Sequence, residues 1–277
     1  MDLVAEERAS DSPFVDSVWH NRSEEAGSFI SMANNQWQLV IARRQGVIRV
    51  TVHGPESQSS QAFATDDTEY FGILFKLGTF MPHLPAKNLV DHDQDLPEAG
   101  RRSFWLNSST WELPTFENAD TFINRLVRKG LLVREPIVET TMQGLVNDEM
   151  SQRTAQRRFL QAAGMTQTVA RQIERARLAT LLLKNGASIL DTVYEAGYFD
   201  QPHLTRSLKH FIGQTPAQIL DAGRTERLSL LYKTVQSPLL YDVNVQQSIG
   251  ENLNDNYNDQ IQPRSGERDR IVLPNSW

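Results

Sequence analysis

The chain has 277 residues, of which 39% are hydrophobic and 22% charged, so it can form the cores of two domains. It contains no apolar run of about 18 residues, which excludes a membrane-spanning helix, and its polar, acidic start does not resemble a secretory signal. The absence of cysteine excludes disulfides, cysteine-ligated zinc and thiol catalysis. We therefore expect a cytoplasmic protein with no membrane partner.

The first half of the chain carries β-strand signals. Residues 1–14 are polar and are expected to form a mobile arm. Within 28–52, two β-branched and aromatic runs lie on either side of Gly46, a pattern typical of a β-hairpin. The apolar run 70–76 predicts another strand, and the proline-containing stretch 78–100 predicts mostly loop.

A change from strand to helix signals marks a domain boundary. Apolar residues at three- and four-residue steps predict a helix over 117–130, and strand signals disappear after Pro136. We predict a β-rich domain over 15–133 and an all-helical domain over 134–223. The remaining residues, 224–277, are rich in Asn, Gln and Asp and predict a largely disordered extension.

Charge is unevenly distributed between these segments. The whole chain has a net charge of −6, and residues 1–133 alone carry −6. Residues 151–184 hold seven bases against the single acid Glu174. A basic helix face is more often solvated surface than a binding site, so this charge indicates nucleic acid only together with a suitable arrangement of helices.

Residues 151–164 predict a helix with two distinct faces. Ser151 is a good N-cap, and Phe159 belongs to an apolar face that can dock on a core. Arg153, Gln156 and Arg157 lie on another face, and Arg and Gln are the side chains that read guanine and adenine edges in a major groove. A short amphipathic helix over 137–144 precedes it, which together gives helix, turn, helix.

The same arrangement recurs after a long helix. The periodicity predicts a helix from Thr166 to Lys184, roughly 28 Å long at 1.5 Å per residue. A short helix over 188–196 then leads to a second recognition helix that begins at Asp200, with Pro202 in its first turn. A spacer of this length suits two helices that enter major-groove segments about 34 Å apart.

Two motifs in this half resemble the C-terminal DNA-binding domain of the AraC/XylS family of bacterial transcription regulators. They are S-x-R-T-x-Q-R-R-F-L-x-A-x-G at 151–164 and I-L-D-x-V-Y-E-A-G-Y-F-D-Q-P-H-L-T-R-S-L-K-x-F-I-G-Q-T-P at 189–216, within a match over about 137–220. The resemblance implies seven helices and two recognition helices in adjacent major-groove segments. It implies that Arg153, Gln156 and Arg157 face bases in the first segment and that Gln201, Pro202, His203 and Arg206 face bases or phosphates in the second. We predict Thr154 and Lys209 as further DNA contacts.

The resemblance also implies a function and partners. It predicts an α+β architecture in which a β-rich sensor domain precedes the DNA-binding domain, and a sequence-specific regulator, typically an activator, that is not an enzyme. Its partners would be double-stranded DNA, RNA polymerase, a small-molecule effector bound by 15–133 and a second copy of the chain. No catalytic residue, metal or cofactor is expected.

Two alternatives stay open on the sequence alone. The β-rich domain could be a cupin-like metal-dependent enzyme, for which His53, His83 and His92 are the available histidine ligands. The acidic turn 147–149 instead favours a sensor that acts through protein contacts without binding DNA by itself. The run D-H-D-Q-D at 91–95 resembles a calcium loop, but Leu96 stands where such a loop needs glycine, so we predict a polar loop.

Overall fold

The computed structural model describes residues 5–145 and 150–221. The predicted extension 224–277 and the acidic turn 147–149 lie outside the described residues. Strands occupy the first half of the chain and helices the second, as predicted. In chain order the strands are β1 Ala5–Ala9, β2 Val15–Ser23, β3 Gly27–Ser31, β4 Gln38–Arg44, β5 Val47–His53, β6 Ser60–Ala64, β7 Thr68–Phe75, β8 Thr79–Phe80, β9 Asp93–Leu96, β10 Glu98–Gly100, β11 Ser103–Leu106, β12 Ser109–Glu112 and β13 Val133–Arg134.

The largest sheet has six antiparallel strands in the order β1-β2-β7-β4-β5-β9. Its central hairpin β4–β5 turns at Gln45 and Gly46, both of which have positive φ (48° and 83°). Two-residue hairpin turns with positive φ at both positions match the twist of the strands, and glycine adopts this conformation without strain. The hairpin predicted around Gly46 and the strand predicted at 70–76 are therefore confirmed.

The chain start forms part of this sheet. In place of the expected mobile arm, residues Ala5–Ala9 form the edge strand β1, which pairs with β2 from Ala5 opposite Asn21 to Ala9 opposite Ser17. Arg8 anchors the strand, since its guanidinium donates to the carbonyl oxygen of Phe116 and to the carboxylate of Asp120. These partners lie more than 100 residues away in sequence.

A helix and a small sheet cover one face of the six-stranded sheet. The helices are α1 Ala86–Leu89, α2 Ala119–Arg128, α3 Pro136–Met142, α4 Gln152–Ala163, α5 Gln167–Lys184, α6 Ile189–Glu195, α7 Gln201–Phe211 and α8 Pro216–Leu220. The apolar face of α2, with Phe122, Ile123 and Leu126, packs into one core with Phe104 and Trp111 of the β10–β12 sheet. Helix α2 lies within the predicted 117–130, whereas the stretch 78–100 holds short strands and α1 in addition to loop.

The helical half has the predicted order of elements. The side chains of Ser151, Thr166, Asp200 and Thr215 each accept a backbone hydrogen bond at the start of α4, α5, α7 and α8. Such N-caps satisfy donors that the first helical turn leaves unpaired. Between 134 and 221 the described residues form six helices, where the resemblance implies seven. No helix in the described ranges is long and apolar enough to span a bilayer.

The two halves of the chain share a core. Met32 and Ala33, between β3 and β4, belong to the same buried cluster as Phe159, Ile173 and Leu208 of the helical half. Burial of this apolar surface stabilises the contact between the halves as well as the helices themselves. The helical half therefore packs directly on the β-rich half.

Candidate nucleic-acid interface

Helix α4 presents a polar surface to solvent. Its inner face is buried at Phe159 and Ala162, each 1% exposed. Arg153, Gln156 and Arg157 are exposed on the remaining surface, as predicted. Thr154 is half-buried, and its backbone N–H and hydroxyl both lie within hydrogen-bonding distance of the hydroxyl of the N-cap residue Ser151.

Helix α7 has the same design. Leu204, Leu208 and Phe211 are buried along its inner face. Four of the five predicted contact residues on this helix, Gln201, Pro202, Arg206 and Lys209, are exposed, and His203 is half-buried. The Asp200 carboxylate accepts the backbone N–H of His203 at 2.6 Å, which fixes the first turn of the helix.

Several basic side chains of residues 151–184 form hydrogen bonds to other groups of the protein. Arg158 donates to both carboxylate oxygens of Glu135 at 2.9 and 2.7 Å. Arg171 donates to the carbonyl oxygen of Thr141, and the buried Arg177 donates to Asn34. Burial also lowers the pKa of Arg171. These three bases therefore have structural roles that their position in a basic run did not reveal.

Helix α5 connects the two helix-turn-helix units. It has 18 residues, which gives about 27 Å at 1.5 Å per residue, and it packs against α3 and α4 and also against α6, α7 and α8. We call α3 with α4 the first unit and α6 with α7 the second unit. Because both units pack on one helix, their recognition helices are held at a defined spacing.

The environment of His203 favours its neutral form. Burial lowers the pKa of its imidazole, and the nearby positive charges of Arg175 and Arg206 lower it further, while Asp200 acts weakly in the opposite direction. At neutral pH the imidazole therefore carries one proton and can both donate and accept a hydrogen bond.

Most of the histidines and acids considered for a metal site have other partners, whereas the buried Nε2 atom of His83 has no hydrogen-bond partner among the described residues. His53 contacts Asp93 at 2.8 Å and Asp95 accepts from Thr51, both on the sheet. Asp91 accepts from the hydroxyl and backbone N–H of Ser57, and His92 contacts the carbonyl oxygen of Val90. Among residues 5–145 and 150–221, no three His, Asp or Glu side chains are grouped closely enough to hold a metal ion.

Comparison with known protein families gives a match over the region that contains both recognition helices. A family described as a helix-turn-helix domain matches residues 149–222. This region is an AraC-type helix-turn-helix domain. The predicted resemblance is thus confirmed for this region: it is a DNA-binding domain of the type found in AraC/XylS transcription regulators, and it follows a β-rich half.

Solved structures with a similar course of the chain include two of ToxT from Vibrio cholerae. One, at 1.65 Å resolution in a P21 crystal form, has 11% sequence identity and a TM-score of 0.34 and covers 78% of this chain and 97% of that chain. The other, from strain O395, has 9% identity and a TM-score of 0.36 and covers 79% and 99%. No curated protein matches the sequence.

Proposed function

We propose that the AraC-type domain binds duplex DNA with α4 and α7 in two successive segments of the major groove, here called the first box and the second box. The observation that carries this proposal is the pairing of two capped helices, each apolar inside and polar outside, on the single helix α5. The length of α5, about 27 Å, is close to one turn of B-DNA. One face of the duplex can therefore meet both helices.

The exposed side chains divide into two roles. Arg and Gln can form bidentate hydrogen bonds with base edges, which suits Arg153, Gln156 and Arg157 to the first box and Gln201 and Arg206 to the second. Contacts to phosphate set the position of a protein on DNA without reading sequence. The cap residue Thr154 and the exposed Lys209 suit that role.

The β-rich half is proposed to regulate this binding. It contacts the end of each recognition helix: the N–H groups of Ala33 and Ser59 donate to carbonyl oxygens of Phe211 and His210, and Gly164 after α4 packs against α1. A ligand that favours one arrangement of these contacts shifts the relative placement of the two units. Such coupling requires only that the ligand bind two arrangements with different affinity.

Buried polar atoms in the six-stranded sheet support a small polar effector. The Oγ atom of Ser17 and the Oε1 atom of Gln38 are buried, and neither has a hydrogen-bond partner among the described residues. Both pair with Leu74 in the sheet register, so they lie in one row on the same face. Buried polar groups usually have hydrogen-bond partners, and a bound hydroxyl or amide would supply partners for these two atoms.

RNA polymerase and a second copy of the chain are proposed as partners on the family resemblance alone.

Footprinting of the full chain tests the two-box geometry directly. With a duplex that the protein selects, hydroxyl-radical cleavage should reveal two protected patches on one face, separated by about one helical turn. Binding should weaken steeply as salt rises, because phosphate contacts release counterions. A single protected patch, or protection spread evenly around the duplex, would contradict the proposal.

A further inference from the structure

Tyr198 lies at the junction between α5 and α7. Its ring is buried, with 6% exposed, and the guanidinium carbon of Arg175 lies over it, 4.8 Å from the ring centroid. The imidazole of His203 meets the same ring edge-on, with centroids 5.1 Å apart and an interplanar angle of 85°. The Tyr198 hydroxyl lies 2.9 Å from the Ser207 hydroxyl on α7.

Arg175 is anchored at a second point. Its guanidinium also donates to the carbonyl oxygen of Gly197, directly before Tyr198, at 3.4 Å. An arginine that stacks on an aromatic ring while it hydrogen-bonds has a fixed plane, which lysine cannot reproduce. Arg175 on α5 therefore holds the turn that leads into α7.

The backbone of this turn determines which nitrogen of His203 carries the proton. The N–H of Phe199 donates to Nδ1 of His203 at 3.5 Å. A backbone N–H can only donate, so Nδ1 is the acceptor and the proton of the neutral ring lies on Nε2. Burial and the charges of Arg175 and Arg206, which lower the pKa of His203, keep the ring neutral at physiological pH.

We propose that Arg175 and Tyr198 position His203 as a specificity-determining residue of the second box, where Nε2–H donates to an acceptor on a base edge. His203 is the third residue of α7, and the first residues of a recognition helix are those that contact bases. The acceptors that this donor fits in the major groove are N7 and O6 of guanine, N7 of adenine and O4 of thymine. This inference rests on the proposed placement of α7 in the major groove.

Removal of a neutral hydrogen-bond donor changes DNA binding differently from removal of an arginine. Removal of a positively charged phosphate contact weakens binding to all sequences and reduces the salt dependence. Removal of His203 should instead abolish discrimination at one base pair of the second box and leave the salt dependence unchanged. Arg175 acts through His203, so Arg175→Lys, which keeps the charge, should weaken discrimination at the same base pair.

The decisive experiment compares full-length variants on duplexes with single base-pair changes in each box. The wild type should discriminate tenfold or more at one second-box pair, a ratio that His203→Leu should reduce to below about threefold with the first box unaffected. His210→Leu is the matched control, since this histidine lies at the other end of α7 and its ring contacts Phe211. Unchanged discrimination by His203→Leu at every second-box pair would overturn the inference.

Nitrogen NMR of the full chain with labelled histidine tests the positioning step independently of DNA. The signals of His203, assigned by their loss in His203→Leu, should show Nε2 protonated and Nδ1 unprotonated at neutral pH. A proton on Nδ1 would overturn the inference even if the protein binds DNA. A protein with this tautomer that selects no DNA sequence would instead contradict the proposed function of α7.

Discussion

The backbone N–H of Ala33 donates a hydrogen bond of 2.7 Å to the carbonyl oxygen of Phe211, the last residue of the second recognition helix. The two residues belong to different halves of the chain, and Ala33 is also part of the core of the helical half. We propose that a change in the segment between β3 and β4 reaches α7 through this contact. This contact is the physical basis of the coupling that we propose.

Arg157 and Arg158 are neighbours with different surroundings, and they provide a matched pair of variants. Arg157 is exposed on the outer face of α4, whereas Arg158 binds Glu135. We expect Arg157→Ala to weaken binding to the preferred duplex by about 1–3 kcal/mol, because a base contact is lost, with little effect on stability. Fluorescence anisotropy titration with a labelled duplex measures this.

Arg158→Ala should instead lower the stability of the protein and leave its DNA sequence preference unchanged. Loss of the two-point pair with Glu135 should lower the free energy of unfolding by about 1 kcal/mol, while the relative preference for different DNA sequences stays the same. Chemical denaturation and the same titration check both quantities. Equal losses of DNA discrimination in the two variants would show that the assignment of the outer face is wrong.

Alanine variants of Gly164 and Gly186 distinguish the cost of backbone strain from the cost of a steric clash between the two halves of the chain. Both have positive φ, 76° and 90°, so alanine at either position costs about 1 kcal/mol in backbone strain. A Cβ on Gly164 would also come within 2.8 Å of Val90 Cγ2 and 3.0 Å of the Ala86 carbonyl oxygen, whereas the space around Gly186 is open. Gly164→Ala should therefore be the more destabilising of the two in thermal unfolding, and equal effects would contradict the described packing of α4 on α1.

Asp16 makes the stability of the folded chain depend on pH. Burial raises the pKa of its carboxyl group, and the hydrogen bond from Gln36 and the charges of Arg177 and Lys76 only partly offset this. The native state therefore binds the proton more tightly than the unfolded chain. Ionisation of Asp16 costs stability above the native pKa, and this cost shrinks as the pH falls from the native pKa towards the unfolded value of 3.8.

The corresponding variant is Asp16→Asn, whose amide oxygen can accept the same hydrogen bond from Gln36. It should raise the free energy of unfolding at pH 7, and the gain should shrink as the pH falls towards the ordinary value of 3.8. Urea denaturation at a series of pH values checks this, with the exposed Asp11→Asn as control. A gain that grows on acidification would contradict the sign of the effect.

The hydrogen bond from Asn35 to Glu174 links the β-rich half to α5 at 2.8 Å. Asn35 is 1% exposed, so Glu174→Ala leaves its amide buried without this partner, at a cost of about 1–3 kcal/mol. Calorimetry of the full chain should show this loss, and Glu195→Ala on the exposed surface of α6 should not. Equal stability of Glu174→Ala and wild type would argue against a specific contact between the halves.

Local signals in the sequence predicted the parts of the fold that depend on local chemistry. Ser151 and Asp200 mark helix starts because their side chains cap the backbone, and Gly46 marks a turn because its φ is positive. The strand β1 gave no such signal, because its polar residues pair with β2 and are held by Arg8 through partners more than 100 residues away.

The candidate site was predictable in part for the same reason. The apolar stripes of α4 and α7 fix which side chains point outward, so the exposed Arg157 and Arg206 could be found by periodicity. Periodicity does not show which basic side chains form hydrogen bonds within the protein. Arg177, for example, donates to Asn34, 143 residues away in sequence. The stack of Arg175 on Tyr198 likewise needs the packing of α5 against α7.

We propose that both recognition helices read DNA sequence in one complex. Selection from a random duplex pool, with the full-length protein and with an Arg157→Ala/Arg206→Ala double variant, tests it most directly. The wild type should enrich a motif of two boxes about one DNA turn apart, and the double variant should lose it. Enrichment of the same two-box motif by both proteins, or of no motif by the wild type, would contradict it.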